Sequence, residues 1–399
     1  MDRDALIMRN RAMAAAFHQP SLKHRARYAG LMALSRLPFI PRRADTQRIL
    51  LIRPDHLGDV LLSTPAINAL RQFCPDAEIH ALVGPWSAEV LVNFEALDAI
   101  ITLPFPGFSR TPQPNWRSPY EQAFQAATRL RRIGYSAALI LRPDHWWGAL
   151  LARLAGIPVR VGYDSGDTSL FVNHRVPYTH QHAVLQSVRL AEAFSGQSMD
   201  AGIALAFPVR PEDSYWVEGY LSEWGIEPDE RILAIHPGSG TWVKRWEEAR
   251  WAVVADALHE QLGVQIILTG SDHEMPMISQ IVAAMKHTPT LMVGDASIGQ
   301  LGALYQRCIA VLGPDSGPLH LAAAVSTPTL TLFGPADPEE FRPWGPSDRH
   351  VVLTAALGCR PCRVIDWGTD DPANHPCVRD ITIERVLDAA RRIIQRDRF

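Results

Sequence analysis

The chain has 399 residues, 47% of them hydrophobic and 20% charged, with a formal net charge of −3. That length exceeds one ordinary core and predicts two domains, while the near-balanced charge leaves no basic footprint for nucleic acid. Five cysteines, an odd number in so long a chain, argue against a secreted disulfide scaffold and for a reducing cytoplasm; there is neither a signal core nor an apolar run of the roughly 20 residues that span a bilayer.

In chain order, residues 1–45 read as an extension. Its stretch 21–43 sets Lys23, Arg25, Arg27, Arg36, Arg42 and Arg43 among Leu22, Leu31, Met32, Leu34, Leu37, Phe39 and Ile40. Such a segment can lie peripherally on the anionic cytoplasmic face of a membrane, or pack on the protein as a helix with a solvated basic face. The continuous apolar run 48–53, RILLIR, then opens an alternation: helix 60–73, strand 78–83, helix 87–93, strand 99–103, helix 120–133, strand 137–141, helix 147–155, strand 160–162. Strand and helix at this spacing predict βαβ units around a parallel sheet. Residues 104–119 hold five prolines and must form a long loop. Its Arg110, Trp116 and Arg117 can meet a polar, anionic acceptor, or the loop is a mere connector.

A helix at 182–194 leads to a second start: helix 215–224, strand 231–235, helix 247–262, strand 264–269, helix 275–285, strand 290–292, helix 298–306, strand 309–312, helix 318–324, strand 329–333. The expected fold class is therefore α/β, two Rossmann-like doubly wound parallel-sheet domains, 46–205 and 206–380, facing a central cleft. The tail 381–399 reads as an amphipathic helix that Thr382 can cap, packed on the domains or crossing between them.

After the strand at 231–235 comes the loop His236-Pro237-Gly238-Ser239-Gly240. A glycine-containing turn between a parallel strand and a helix leaves backbone N–H groups free and lets a phosphate approach, and Lys244 adds a positive charge. Val243 stands where a dinucleotide fingerprint has its third glycine, and no acidic residue closes the next strand, so a dehydrogenase is disfavoured. A Walker A loop is absent. The next strand runs into Thr269-Gly270-Ser271-Asp272-His273-Glu274, where Glu274 can accept from a ribose or base, and Ser271 or Asp272 can cap a helix. In Gly313-Pro314-Asp315-Ser316-Gly317-Pro318-Leu319-His320, the N–H groups of Ser316 and Gly317 would aim a helix dipole at the same anion. Asp315 could cap that helix or bind a sugar hydroxyl. In the first half, Asp59 beside Gly58 is either an N-cap or a general base for an acceptor hydroxyl, with Asp55 and His56 as secondary candidates. Cys359, Cys362 and Cys377 near His375 could hold zinc, although His375 and Cys377 are only two apart; packed thiols are the alternative.

The segments LIRPDHLGDVLLSTPAINALR, HPGSGTWVKRW, ILTGSDHE and GPDSGPLHLAAA, in this order and spacing, resemble the ADP-heptose:lipopolysaccharide heptosyltransferases, glycosyltransferase family nine. The resemblance covers the chain from about residue 48 to the tail. It implies a GT-B fold, an acceptor-binding amino-terminal half and a donor-binding carboxyl-terminal half. It also implies inverting transfer of heptose from an ADP-linked sugar to a lipopolysaccharide-core or other envelope glycan, with no cofactor or metal required. By position, Asp59 matches the family's base, Lys244 its donor-phosphate lysine, Glu274 an acidic residue near the nucleoside, and Asp315, Ser316 and Gly317 the sugar and phosphate loop. His236, Gly238, Ser239, Gly240 and His320 complete the expected donor site; His56, Arg110 and Arg117 are the expected acceptor side. Another nucleotide-sugar donor, a non-catalytic nucleotide-binding protein and a sugar-nucleotide epimerase are the alternatives.

Overall fold

The computed structural model describes residues 2–42, 47–109, 114–199 and 202–396. Arg43 of the basic stretch and Arg110 of the proline-rich loop lie outside the described residues. The chain divides into two compact units, Pro20–Ala204, and Met1–Gln19 with Leu205–Phe399.

The amino-terminal unit is built on β1 (Arg48–Arg53), β2 (Glu78–Val83), β3 (Ala99–Thr102), β4 (Ala137–Ile140), β5 (Val159–Tyr163) and β6 (His174–Val176). They pair in parallel in the order β3-β2-β1-β4-β5-β6. Helices cover both faces, so the central strands are apolar on both sides: Leu50, Ile52, Leu82, Ala138 and Ile140 share one core with Leu150 and Leu151 of the helix Trp146–Leu154.

The carboxyl-terminal unit repeats the design with β7 (Ile232–Ile235), β8 (Gln265–Gly270), β9 (Thr290–Val293), β10 (Ala310–Pro314), β11 (Thr329–Phe333) and β12 (His350–Thr354). Its order, β12-β11-β10-β7-β8-β9, is the first order again once counted from β7. The terminal helix Ile383–Arg396 drives Val386, Ala389, Ala390, Ile393 and Ile394 into this unit's core, and Thr382 Oγ1 accepts from the Arg385 N–H at 3.4 Å. In each sheet the strand order reverses between the first and fourth strands. The carboxyl ends of β1 and β4, and of β7 and β10, are therefore the places where open α/β sheets bind ligands.

Three local expectations are corrected. The helix expected over 60–73 is two, Leu57–Leu61 and Thr64–Phe73. Ser63 and Thr64 turn their hydroxyls back onto the Val60 and Leu61 carbonyls at 2.7 and 2.8 Å, and Pro65 cannot donate, so a new helix starts with proline in its first turn. The helix expected at 87–93 is a short 3-10 turn, Ala88–Leu91. The edge strands β6 and β12 were not anticipated.

The first helix, Arg3–Phe17, packs within the carboxyl-terminal unit: Arg9 pairs with Asp370 at 2.7 Å, Asn10 donates to the Asn374 carbonyl at 2.8 Å, and Arg11 donates to the Gly358 carbonyl at 2.7 Å. The second, Leu22–Ser35, packs on the amino-terminal unit through Leu31 and an Arg27–Asp167 pair at 2.9 Å. It leaves Leu22, Lys23, Arg25, Ala26, Ala29 and Ala33 outward. Among the described residues, no helix is long and apolar enough to cross a membrane.

Candidate active site

At the end of β7 the chain enters the glycine loop. His236 is buried, and its Nδ1 lies 3.1 Å from the Thr269 hydroxyl, which contacts the Tyr305 hydroxyl at 3.0 Å. Burial lowers the His236 pKa, and Glu274 pulls against it from 4.0 Å. The Glu274 Oε2 accepts from the Ser271 N–H and hydroxyl at 2.8 and 2.9 Å, so the expected helix cap is present. Burial pushes the Glu274 carboxyl up, but His236, the Ser271 bonds and Arg245 outweigh it and hold the group below the usual carboxylate range. The other oxygen rests against Gly238, where a Cβ would lie 1.7 Å from Oε1. A larger residue at 238 would have to displace the Glu274 carboxylate from its place beneath the loop. Ser239 is buried, with its carbonyl 3.3 Å from Arg245, and Gly240 is exposed.

The neighbouring strand β10 delivers Asp315. Instead of capping the next helix, its buried carboxylate pairs with Lys244 Nζ at 2.6 Å. Ser316 and Gly317 open the helix Gly317–Ala324, with proline in the first turn. His320, one turn in, is buried, and desolvation pushes its pKa down to about 4, with Asp315 raising and Lys244 lowering it. Close approach also fixes Gly313, where a Cβ would lie 2.4 Å from the His236 carbonyl oxygen. The structure therefore brings His236, Gly238, Ser239, Lys244, Glu274, Asp315, Ser316, Gly317 and His320 to one sheet edge. Among the described residues, Thr241 Oγ1, Ser316 Oγ and His320 Nδ1 are buried there without a hydrogen-bond partner, which leaves hydrogen-bonding capacity for a ligand after a small adjustment.

In the amino-terminal unit, Asp59 lies in the helix Leu57–Leu61, one-third exposed, with Arg53 Nη2 3.4 Å from its Oδ1. Arg53, the last residue of β1, also meets Asp55 at 2.8 Å, and Asp55 is gripped from its other side by Arg142, just beyond β4. Burial pushes the Asp55 carboxyl up, but Arg53 and Arg142 outweigh it and hold it below its ordinary value. Arg53 and Arg142 were not anticipated as site residues. A signal existed: Arg-Pro-Asp occurs at 53–55 and again at 142–144, at the ends of two strands that this sheet order makes neighbours. His56 is exposed, its ring 5.6 Å from that of Trp86. Arg117 is exposed and lies over the Trp116 ring at 5.1 Å.

His375 turns to Asp370 at 2.8 Å and packs beside Trp367 and Trp242. Among the described residues, Cys359, Cys362 and Cys377 do not meet as three ligand atoms within 4.8 Å of one another. Burial raises the pKa of all three thiols.

Two doubly wound units of one strand order, the second carrying a glycine loop with a lysine and an acid at its switch point, define a protein of the GT-B class. Residues 124–367 match the sequence profile of Glycosyltransferase family 9 (heptosyltransferase). Lipopolysaccharide heptosyltransferase 3 of Escherichia coli is 27% identical over 295 residues, 72% of this chain and 83% of that protein. Two solved structures share the fold. The glycosyl transferase family 9 protein of Veillonella parvula has a TM-score of 0.73 at 21% identity, covering 89% of this chain and 99% of that one. The E. coli ADP-heptose lps heptosyltransferase II has a TM-score of 0.69 at 21% identity, covering 88% and 100%. The chain belongs to glycosyltransferase family 9, and it is a glycosyltransferase.

Proposed function

We propose that this enzyme moves heptose from ADP-heptose onto a lipopolysaccharide-core or other envelope glycan, inverting the anomeric centre in a single displacement. The names of its E. coli relative and solved neighbour support donor and acceptor. The observation that carries the reading is the Lys244–Asp315 pair joining the β7 and β10 loops. A diphosphate arriving between these loops can take over the lysine, freeing Asp315 to accept from a sugar hydroxyl. Asp59 takes the acceptor proton as the new bond forms. Lys244 and the Ser316 and Gly317 N–H groups stabilise the departing diphosphate, and no metal takes part. Losing either contribution costs on the order of 100-fold or more in rate. A lipopolysaccharide acceptor fits work at the cytoplasmic membrane face, and the outward Lys23 and Arg25 of Leu22–Ser35 support peripheral association there.

Calorimetric titration with ADP, UDP, GDP and ADP-heptose, without added metal, tests the donor, and transfer to lipopolysaccharide core fragments tests the acceptor. Selective binding of ADP and its sugar is expected. A preference for UDP or GDP would keep the fold and overturn heptose; no binding at all would favour a non-catalytic protein. Near-normal turnover of Asp59→Ala would remove Asp59 from the mechanism.

A further inference from the structure

At the carboxyl ends of β1 and β4, five charged side chains form one line. Arg53 is 5% exposed and Asp55 only 2%. The Arg53 guanidinium donates from Nη1 to the Leu141 carbonyl at 2.9 Å, sets Nε 2.8 Å from Asp55, and extends Nη2 to 3.4 Å from Asp59. Asp55 is held on its far side by Arg142, which turns Nε and Nη2 to Asp144 at 2.6 and 3.2 Å. Asp55 cannot be the base: it is buried and both its oxygens face guanidinium groups. Asp59, at the end of the line, has 34% of its side chain open. A guanidinium is a rigid planar fork, so one hydrogen-bonded to the Leu141 carbonyl and ion-paired with Asp55 has a narrow range of directions left for its remaining nitrogen. That range includes Asp59.

We propose that Arg53 is a positioning residue for the transfer, its buried guanidinium setting the place of the Asp59 carboxylate while Asp55 fixes Arg53 from behind. The proposal rests on the reading of Asp59 as acceptor base. It makes the strand end itself part of the machinery, since the guanidinium that reaches Asp59 belongs to the last residue of β1. A base misplaced by about 1 Å costs on the order of 100-fold in rate.

The test is a double-mutant cycle on the full chain with Arg53→Met, Asp59→Asn and both together, with kcat, KM and ADP affinity measured for each. Arg53→Met is expected to lower kcat by about 100-fold with ADP affinity unchanged. Arg53→Lys, which returns the charge without the fork, should recover part of that loss. On the Asp59→Asn background, Arg53→Met should change kcat by less than about twofold, because its only route to the chemistry is already gone. A full further loss on that background would show a merely structural effect and overturn the proposal, as would unchanged kcat in Arg53→Met. Should Arg53→Met not fold, Asp55→Asn removes the rear anchor and runs in the same cycle with the same expectations. Near-normal turnover of Asp59→Asn would overturn the base reading itself, an outcome distinct from a failure of Arg53 alone.

Discussion

Gly238 and Lys244 separate two effects that one loop combines. An added methyl at Gly238 would drive into the Glu274 carboxylate, and overpacking of that kind costs about 1–3 kcal/mol. Gly238→Ala should lower the melting temperature and weaken ADP binding at least tenfold; calorimetry showing wild-type affinity would mean that the loop does not touch the diphosphate. Lys244→Met strands the buried Asp315 carboxylate, a loss on the order of 3–5 kcal/mol, and should weaken ADP binding about 10–100-fold. Adding Asp315→Asn should restore stability without restoring binding. Recovery of both would make Lys244 a structural counter-ion only. His236, Lys244 and Asp315 were legible because strand ends of a doubly wound sheet face its crevice. That Asp315 neutralises Lys244 was not, because residues 71 positions apart in sequence meet only once β10 is placed beside β7. Arg53 was read as a strand residue because its anchor, the Leu141 carbonyl, comes within reach only once β4 is placed beside β1.

The buried strands were readable since residues covered on both faces are apolar throughout; β7, Ile232–Ile235, lies where its ILAI run puts it. The edge strands carried no such mark. In β6, His174 and Arg175 are exposed, and β12 is mostly half-buried, so each looked like loop. Break points inside helices were equally hidden, because the back-bonding of Ser63 and Thr64 is a choice that the sequence permits but does not compel. The helix Leu22–Ser35 shows how both readings of one segment can hold. Its inner face is spent on Leu31 and the Arg27–Asp167 pair, while Lys23 and Arg25 point outward. At about 1 kcal/mol per basic residue near an anionic surface, changing Lys23, Arg25 and Arg36 to glutamate should reduce co-sedimentation with phosphatidylglycerol vesicles about 100-fold or more. Binding to neutral phosphatidylcholine vesicles should be slight for both proteins. Equal sedimentation of variant and wild type would assign this face to solvent.

Each unit hides uncharged histidines, and that links the stability of the whole molecule to pH. In the amino-terminal unit His145 is buried between Phe105, Phe108 and Trp147, and desolvation pushes its pKa to about 3. In the carboxyl-terminal unit burial brings His320 and His350 to about 4. Unfolded, all three titrate near 6.5. Between pH 6.5 and about 4 the unfolded chain therefore binds protons that the folded chain refuses, so stability rises with pH across that window. The contribution is complete above about 6.5 and is lost as pH falls through the folded values, at most on the order of 3 kcal/mol each for His320 and His350 and about 5 kcal/mol for His145. With these two rings, and His236 and His375, whose pKa burial also lowers, against His145, the carboxyl-terminal unit should lose stability more steeply between pH 6.5 and 4. Urea titrations at half-unit pH steps, read by hydrogen exchange on peptides from β1 and from β7, would follow the two units separately. Replacing His320 and His350 together by glutamine should flatten the slope for β7 and leave that for β1 unchanged. An unaltered β7 slope would place the acid sensitivity on other groups of this unit, such as His236 or the Glu274 carboxylate, whose pKa values are also lowered, and not on His320 and His350.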